Sequence, residues 1–256
     1  MLIQLLRHAT LVISIGDKRI LVDPMLSEAE AMEPVQNVAV VRRIPMVDLP
    51  IEHDSLRELI ADLDAVLVTH NHRDHWDRTA RELLPGYLPI FCQPEDESAI
   101  LWADFSTVIP VEDEFEWEGL RLERTKGLHG SGEIGEKMGV VSGFVFSAPG
   151  EPKLYIAGDT IWCPEVEQAL NTSQPDVVVV NAGAAQFLEG DPITMSAEDV
   201  VQVCQAIPSA KVLAVHMEAV NHCGLTRHAL SEYLQSHGLA DRVKILADGE
   251  IVRFIL

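Results

Sequence analysis

The chain reads as an α/β protein in which strands and helices alternate through both halves, a layered arrangement of two sheets flanked by helices. Three features predict it: an alternating hairpin near the start, short fully apolar runs in the interior, and capped helical segments between those runs. No internal repeat and no Gly/Ser-rich linker interrupts the pattern, so residues 1–256 are expected to form one domain.

Taken in order, Met1 to Thr10 reads as a first strand and lacks the basic-then-apolar layout of a secretory leader. Leu11 to Ile15 alternates, Gly16-Asp17-Lys18 turns, and Arg19 to Asp23 returns, which predicts a hairpin. Residues 24–50 carry Pro24, Pro34, Pro45 and Pro50 with no period and predict a long loop, the kind of segment that often serves binding. Asp54 is placed to cap a helix through about Leu63, and Ala65 to Val68 is a buried strand. A helix from Asp77 to about Leu84 follows. Phe115 to Thr125 alternates around Gly119, and Val140 to Ser147 can pair with Lys153 to Ala157 across Pro149-Gly150. Buried-strand runs recur at Asp176 to Asn181, Lys211 to Val215 and Val243 to Ala247. Between them, Pro164 suits a first helical turn, Ser196 and Asp199 make a capping box, and Thr226 to His237 ends at Gly238.

Charge narrows the function. Forty acidic residues face nineteen basic ones, a formal net charge of −21, with no run of Lys and Arg. Such a surface repels phosphodiester backbones, so no nucleic-acid partner is expected. No apolar run approaches the roughly 20 residues that span a bilayer, so no membrane association and a cytoplasmic location are the expectation. Cys92, Cys163, Cys204 and Cys223 are far apart without C-x-x-C spacing, which argues against thiolate zinc sites and a disulfide framework.

The chemistry concentrates at Thr69-His70-Asn71-His72-Arg73-Asp74-His75, directly after the apolar run. Three imidazoles and a carboxylate fall within six residues, a spacing that ten histidines in 256 residues would produce in on the order of one chain in a thousand. Imidazole nitrogen and carboxylate oxygen suit Zn²⁺ and similar divalent ions.

That segment resembles the H-x-H-x-D-H signature of the metallo-β-lactamase superfamily. Val22-Asp23-Pro24, His129-Gly130, Gly158-Asp159-Thr160 and Val215-His216 resemble the family's other motifs, in order and with fitting gaps of 54, 30 and 57 residues from His75 to His129, Asp159 and His216. The resemblance implies an αββα four-layer sandwich with the site at its edge. It implies that His70, His72 and His129 bind one metal, that Asp74, His75 and His216 bind the other, and that Asp159 bridges. Two divalent ions, Zn²⁺ foremost with Mn²⁺ or Fe²⁺ as alternatives, against two aspartates and a bridging hydroxide leave about +1 at such a site. His72, where the diiron redox branch has Glu, points away from redox chemistry. Asp159, where thiolate zinc β-lactamases have Cys, points away from antibiotic hydrolysis. His8-Ala9-Thr10 and Asp23-Pro24 are similar to the group that contains ascorbate-6-phosphate lactonase.

Further candidates lie beside the motifs. Asp23 is expected to orient the His70 loop, and His8 to sit near the metals or in the core. Trp162 either lines the pocket or packs in the core, and Asn181, at a strand end, is a substrate-contact candidate. His222 is a candidate proton donor or substrate contact, with a solvent-facing loop histidine as the alternative. Glu133 to Lys137 reads as a loop beside His129 that flexes over the site or simply turns. Cys163 has no basic neighbour and is not read as a nucleophile. The function expected is metal-dependent hydrolysis of an ester, lactone or phosphodiester in a small anionic substrate. An RNA-processing nuclease and a non-catalytic metal-bound sensor are the alternatives.

Overall fold

Apolar runs without alternation require cover on both faces, and the computed structural model, described over residues 1–255, shows how they obtain it. β1 (Leu2–Arg7), β2 (Thr10–Ile15) and β3 (Lys18–Val22) form an antiparallel meander. After the long loop come α1 (His53–Ala61), β4 (Ala65–Val68), α2 (Arg78–Leu83), β5 (Ile90–Cys92), α3 (Glu97–Leu101) and β6 (Val108–Pro110). The second half runs β7 (Glu114–Trp117), β8 (Leu120–Lys126), α4 (Gly132–Met138), β9 (Ser142–Ser147) and β10 (Leu154–Ile156). It closes with α5 (Pro164–Ser173), β11 (Val177–Asn181), α6 (Ala197–Ala206), β12 (Lys211–Val215), α7 (Arg227–Ser236), β13 (Val243–Ile245) and β14 (Ile251–Arg253).

The strands make two seven-stranded sheets, ordered β14-β1-β2-β3-β4-β5-β6 and β13-β12-β11-β10-β9-β8-β7. Successive side chains of one strand serve different cores. Ala65 and Leu67 of β4 join Val177 and Val179 of β11 between the sheets, whereas Val66 and Val68 pack outward under α1 and α2. Val178 and Val180 of β11 pack outward with Val166, Val200 and Leu230 from α5, α6 and α7. The order is therefore helix, sheet, sheet, helix: an αββα sandwich. Each fully buried Val, Leu or Ile is worth about 1.5–3 kcal/mol, so strands covered twice anchor both layers at once.

Local signals hold at the Asp77 cap, where the side chain accepts from Ala80 N, and at the Ser196–Asp199 capping box. The cap expected at Asp54 does not form: Glu52 occupies that position without a side-chain bond, and Asp54 lies inside the first turn, where its charge faces the helix dipole. Glu133 to Lys137 is neither turn nor loop but the body of α4. The long loop 24–50 has no regular element beyond a bridge between Met32 and Ile44. Arg7 fastens its base, its buried guanidinium donating to the carbonyls of Met25, Ser27 and Val47 at 2.8–2.9 Å. No helix among the described residues is long and apolar enough to cross a membrane.

Candidate metal centre

Parallel strands end on one edge, and the chemistry-bearing residues follow those ends. β1 leads into His8, β3 into Asp23, β4 into Thr69 and His70, β10 into Asp159 and β12 into His216, while Asn181 closes β11. His8, Asp23 and His216 all take left-handed backbone, φ 60°, 45° and 68°. Left-handed backbone costs a non-glycine residue about 1–3 kcal/mol, strain that collects at functional sites. Two glycines make room for the approach. A Cβ on Gly158 would lie 2.6 Å from the Ser142 carbonyl, and one on Gly183 2.2 Å from the His216 carbonyl.

The side chains gather into three overlapping donor sets, each within 4.8 Å: His70, His72 and His129; His8, Asp74, His75 and His216; and His70, His75 and Asp159. Asp159 stands between the imidazoles. Its Oδ2 is 3.3 Å from His75 Nε2, 3.6 Å from His129 Nε2 and 3.9 Å from His70 Nε2, and its Oδ1 is 3.2 Å from His216 Nε2. Asp74 Oδ2 lies 3.8 Å from Nε2 of both His75 and His216. The donor types suit divalent ions, and one atom asks for one: His70 Nε2 is buried without a hydrogen-bond partner. The residues present fit the metals that the resemblance implies.

Most of the imidazoles are fixed through their other nitrogen. His75 Nδ1 bonds Asp23 Oδ2 at 2.8 Å, His129 Nδ1 the Ile193 carbonyl at 2.8 Å, and His70 Nδ1 Thr69 Oγ1 at 3.1 Å. His216 Nδ1 lies 3.6 Å from Cys223 Sγ. These contacts leave Nε2 facing inward, the tautomer a metal needs. Asp23 also accepts from Thr69 N and Thr69 Oγ1, both at 2.7 Å, which ties β3 to the His70 loop as the sequence led us to expect.

Electrostatics favour keeping the carboxylates charged. Burial pushes Asp159 up, but His216 and His75 outweigh it and hold it well below the usual carboxylate range. Burial likewise pushes Asp74 up, and His75 and His8 hold it well below that range. Burial pulls His75 and His216 down, yet the aspartates hold His75 well above its ordinary value and Asp159 with Cys223 lifts His216 to about 10. Burial lowers His70 well below its ordinary value, His129 to about 4 and His8 to about 3. In the metal-free protein, protons on His75 and His216 thus balance Asp74 and Asp159. Cations would displace those protons, so binding is coupled to pH.

The centre opens into a groove of about 370 Å³ that also reaches Pro34, Val35, Met138, Phe187 and His222. His222 lines this groove and is mostly covered, not a solvent-facing loop residue; its Nδ1 is buried without a partner. Burial pulls its pKa down, but Cys223 and Asp74 outweigh that and raise it. His8 is fully buried, its Nε2 3.1 Å from Asp74 Oδ2 and its ring 3.6 Å from that of His216, so it belongs to the centre. The substrate-contact reading of Asn181 needs correction, and of the two readings of Trp162 the core one holds. Asn181 does not face substrate: it is buried and its Nδ2 donates to Asp159 Oδ1 at 2.6 Å, because the last residue of β11 points at the carboxylate following the neighbouring strand. Trp162 packs against the helix-side core and is not part of the groove wall, since the chain turns there into α5. Sequence reasoning missed Thr69, the Ile193 carbonyl and Asn221. Only Thr69, adjacent to the His motif, carried a local signal.

Comparison with known proteins agrees with this geometry. Residues 18–217 match the family model described as a β-lactamase superfamily domain. The chain is 37% identical over 254 residues to the UPF0173 protein YddR of Bacillus subtilis (strain 168), covering 97% of this chain and 98% of that protein. The crystal structure of an isothiocyanate hydrolase from Delia radicum gut bacteria superposes with a TM-score of 0.94 at 37% identity over the whole of both chains. A possible metal-dependent hydrolase from Veillonella parvula DSM 2008 gives 0.94 at 33% identity over 98% of each.

Proposed function

The chain belongs to the β-lactamase superfamily and, within it, to the UPF0173 group of metal-dependent hydrolases, and on that premise we propose that it hydrolyses a small molecule at an electrophilic carbon held beside Asp159. The observation that carries the reading is that His72 and His129 of one donor set, Asp74 of the other, Asp159 and His222 all line one groove. His70, His72 and His129 would hold one ion, and Asp74, His75 and His216 the other, with Asp159 shared. When bound, divalent ions of this kind supply Lewis acidity and water ionised near pH ~7.

The substrate we infer differs from the ester, lactone or phosphodiester expected from sequence. Apart from the groove's imidazoles, Arg73 is the one cationic residue in the lining among the described residues, against the carboxylates of Glu33, Asp74 and Asp159, so an anion has little to bind beyond the centre itself. A neutral heterocumulene fits better, and the full-length likeness to an isothiocyanate hydrolase supports that choice. Water adding across the carbon–nitrogen bond of R–N=C=S gives a thiocarbamate, and carbon–nitrogen cleavage then releases R–NH₂ and carbonyl sulfide. The departing nitrogen needs a proton. His222, which lines the groove and whose pKa is raised, is the group we assign to deliver one. The acidic chain has no part for nucleic acid in this reaction.

The test is a turnover panel on zinc-loaded protein: an aryl isothiocyanate, a lactone, a p-nitrophenyl ester, a chromogenic phosphodiester and structured RNA. Amine release from the isothiocyanate, lost on chelation, supports the proposal. Preferential turnover of the phosphodiester or RNA overturns the substrate assignment, and inactivity on every member with two ions bound overturns the hydrolase reading.

A further inference from the structure

The long loop that the sequence left without structure supplies one wall of the groove, and a single buried amide holds it there. Asn221 is almost fully buried, and its side chain satisfies three backbone groups of a segment 186 residues away in sequence. Val35 N donates to its Oδ1 at 2.9 Å, and its Nδ2 donates to the carbonyls of Val35 at 3.1 Å and Val40 at 2.6 Å. A second tie follows close by, Leu188 N donating to the Asn37 carbonyl at 2.7 Å, and Gln186 N donates to the His222 carbonyl at 3.0 Å. The segments around Val35, Phe187 and His222 are thereby joined into one unit. An asparagine side chain buried in this way is fully committed, since replacing it leaves a donor and two acceptors of the loop without partners.

Toward the groove this unit presents an apolar strip, Pro34, Val35 and Phe187, flanked by Glu33, Gln36 and His222. Pro34, Val35 and Phe187, with Met138 at the end of α4, are half-buried and line the same groove as His72, Asp74, His129 and Asp159. A molecule whose reacting carbon lies beside Asp159 has this wall as the surface that can receive the rest of it. Unbranched Met and planar Phe adapt to alkyl or aryl groups of differing length. We propose that Pro34, Val35, Met138 and Phe187 form the subsite for an apolar substituent of the substrate, and that Asn221 is the positioning residue that sets the distance of that wall from the metal centre. The inference rests on the hydrolase reading for the word substrate, but the subsite can be probed without turnover.

The probe is a series of straight-chain aliphatic hydroxamic acids, from acetohydroxamate to hexanohydroxamate, titrated calorimetrically into zinc-loaded protein. The hydroxamate head addresses the metals and the tail addresses the wall. In the native protein affinity should rise about threefold per added methylene, as expected for a chain entering an apolar site. In Asn221→Ala and in Phe187→Ala the rise should flatten to less than about half of that per methylene, while acetohydroxamate affinity and zinc content stay unchanged. Exchange of the Val35 amide proton should accelerate at least about tenfold in Asn221→Ala and not in Phe187→Ala. Should Asn221→Ala fail to fold, Phe187→Ala still decides the subsite, because its side chain bears on no tie. Affinity independent of chain length in the native protein, or an unaltered chain-length dependence in both variants, overturns the proposal. A steep dependence in a protein inactive on every panel substrate would sink the hydrolase reading and leave the subsite standing.

Discussion

Asp23→Asn separates holding the fold from holding a metal. The Asp23 carboxylate receives Thr69 N, Thr69 Oγ1 and His75 Nδ1, and all three residues are essentially buried. In Asp23→Ala the hydroxyl can rotate to another acceptor, but the Thr69 N–H and His75 Nδ1–H stay buried and unpaired. At about 1–3 kcal/mol for each unmade bond, that variant loses about 2–6 kcal/mol. This is a large share of the roughly 5–15 kcal/mol that stabilises a domain. Asp23→Asn keeps the shape and one acceptor for the Thr69 N–H, so its stability cost should be below about 2 kcal/mol. Its amide nitrogen, however, donates toward His75 Nδ1, which must then carry the lone pair and move its proton to Nε2. That nitrogen faces Asp159 and Asp74 and is the one offered to a metal. Zinc affinity should therefore fall by about 10–100-fold, the usual cost of losing such an orienting partner. Urea titrations of the metal-free proteins give the stabilities, and competition with a chromogenic chelator gives the affinities. Zinc affinity in Asp23→Asn equal to that of the native protein would refute the tautomer argument. Equal destabilisation of both variants would show that Asp23 acts through its charge on the fold.

Three shorter predictions follow from the same geometry. Asp159→Ala should leave fewer than about two ions per chain and cut turnover by at least ~10²-fold, since Asp159 lies between the imidazoles of both sets, within 3.6 Å of His75, His129 and His216; undiminished activity would mean a different residue bridges. Among the four thiols, burial raises Cys92 to about 12 and also raises Cys163 and Cys204, whereas burial at Cys223 is outweighed by His216, which brings it to about 7. Iodoacetamide at neutral pH should label Cys223 of the metal-free protein first, as peptide mapping can show, and labelling led by Cys92 would contradict the assignment. Arg7→Met should lower the urea-derived stability by at least about 3 kcal/mol, because three loop carbonyls lose their donor; a shift near zero would mean the loop base is held by its apolar contacts alone.

How far the sequence could be read depends on the range of the interaction that decides each feature. β4, β11 and β12 were legible because four or five consecutive apolar residues leave no exposed face, and the capped helices because Asp77 and Ser196 act within three residues. β5, β6 and β14 were not, since three residues show no period; β10 and β13 are as short, but β10 was marked by the Pro149-Gly150 turn before it and β13 by the mostly apolar run to Ala247. The His70–His75 loop announced itself through spacing alone. Asn221 did not, and Asn181 showed as a candidate without its role, because both act on partners that only the folded chain brings near: Asn181 on the carboxylate beyond the neighbouring strand, Asn221 on a loop far earlier in the sequence. His222 illustrates the middle case: the sequence offered it as a candidate, yet only the packing shows that its ring is mostly covered and lines the groove.

The donors run from His70 to His216, and His8 joins them from the first strand, while the outer neighbour of β1 is β14, with Leu2 opposite Arg253. Closure of the first sheet and assembly of the centre are therefore both late events in folding, governed by contacts of very large sequence separation. An ion caught early by the His70–His75 loop on a growing chain would find only part of its donors and could be carried into the wrong pairing. Correct loading is best served by metal that arrives after the chain has closed, when every donor is already in place. Refolding with excess zinc present from the start should then yield less active protein than refolding first and adding zinc afterwards.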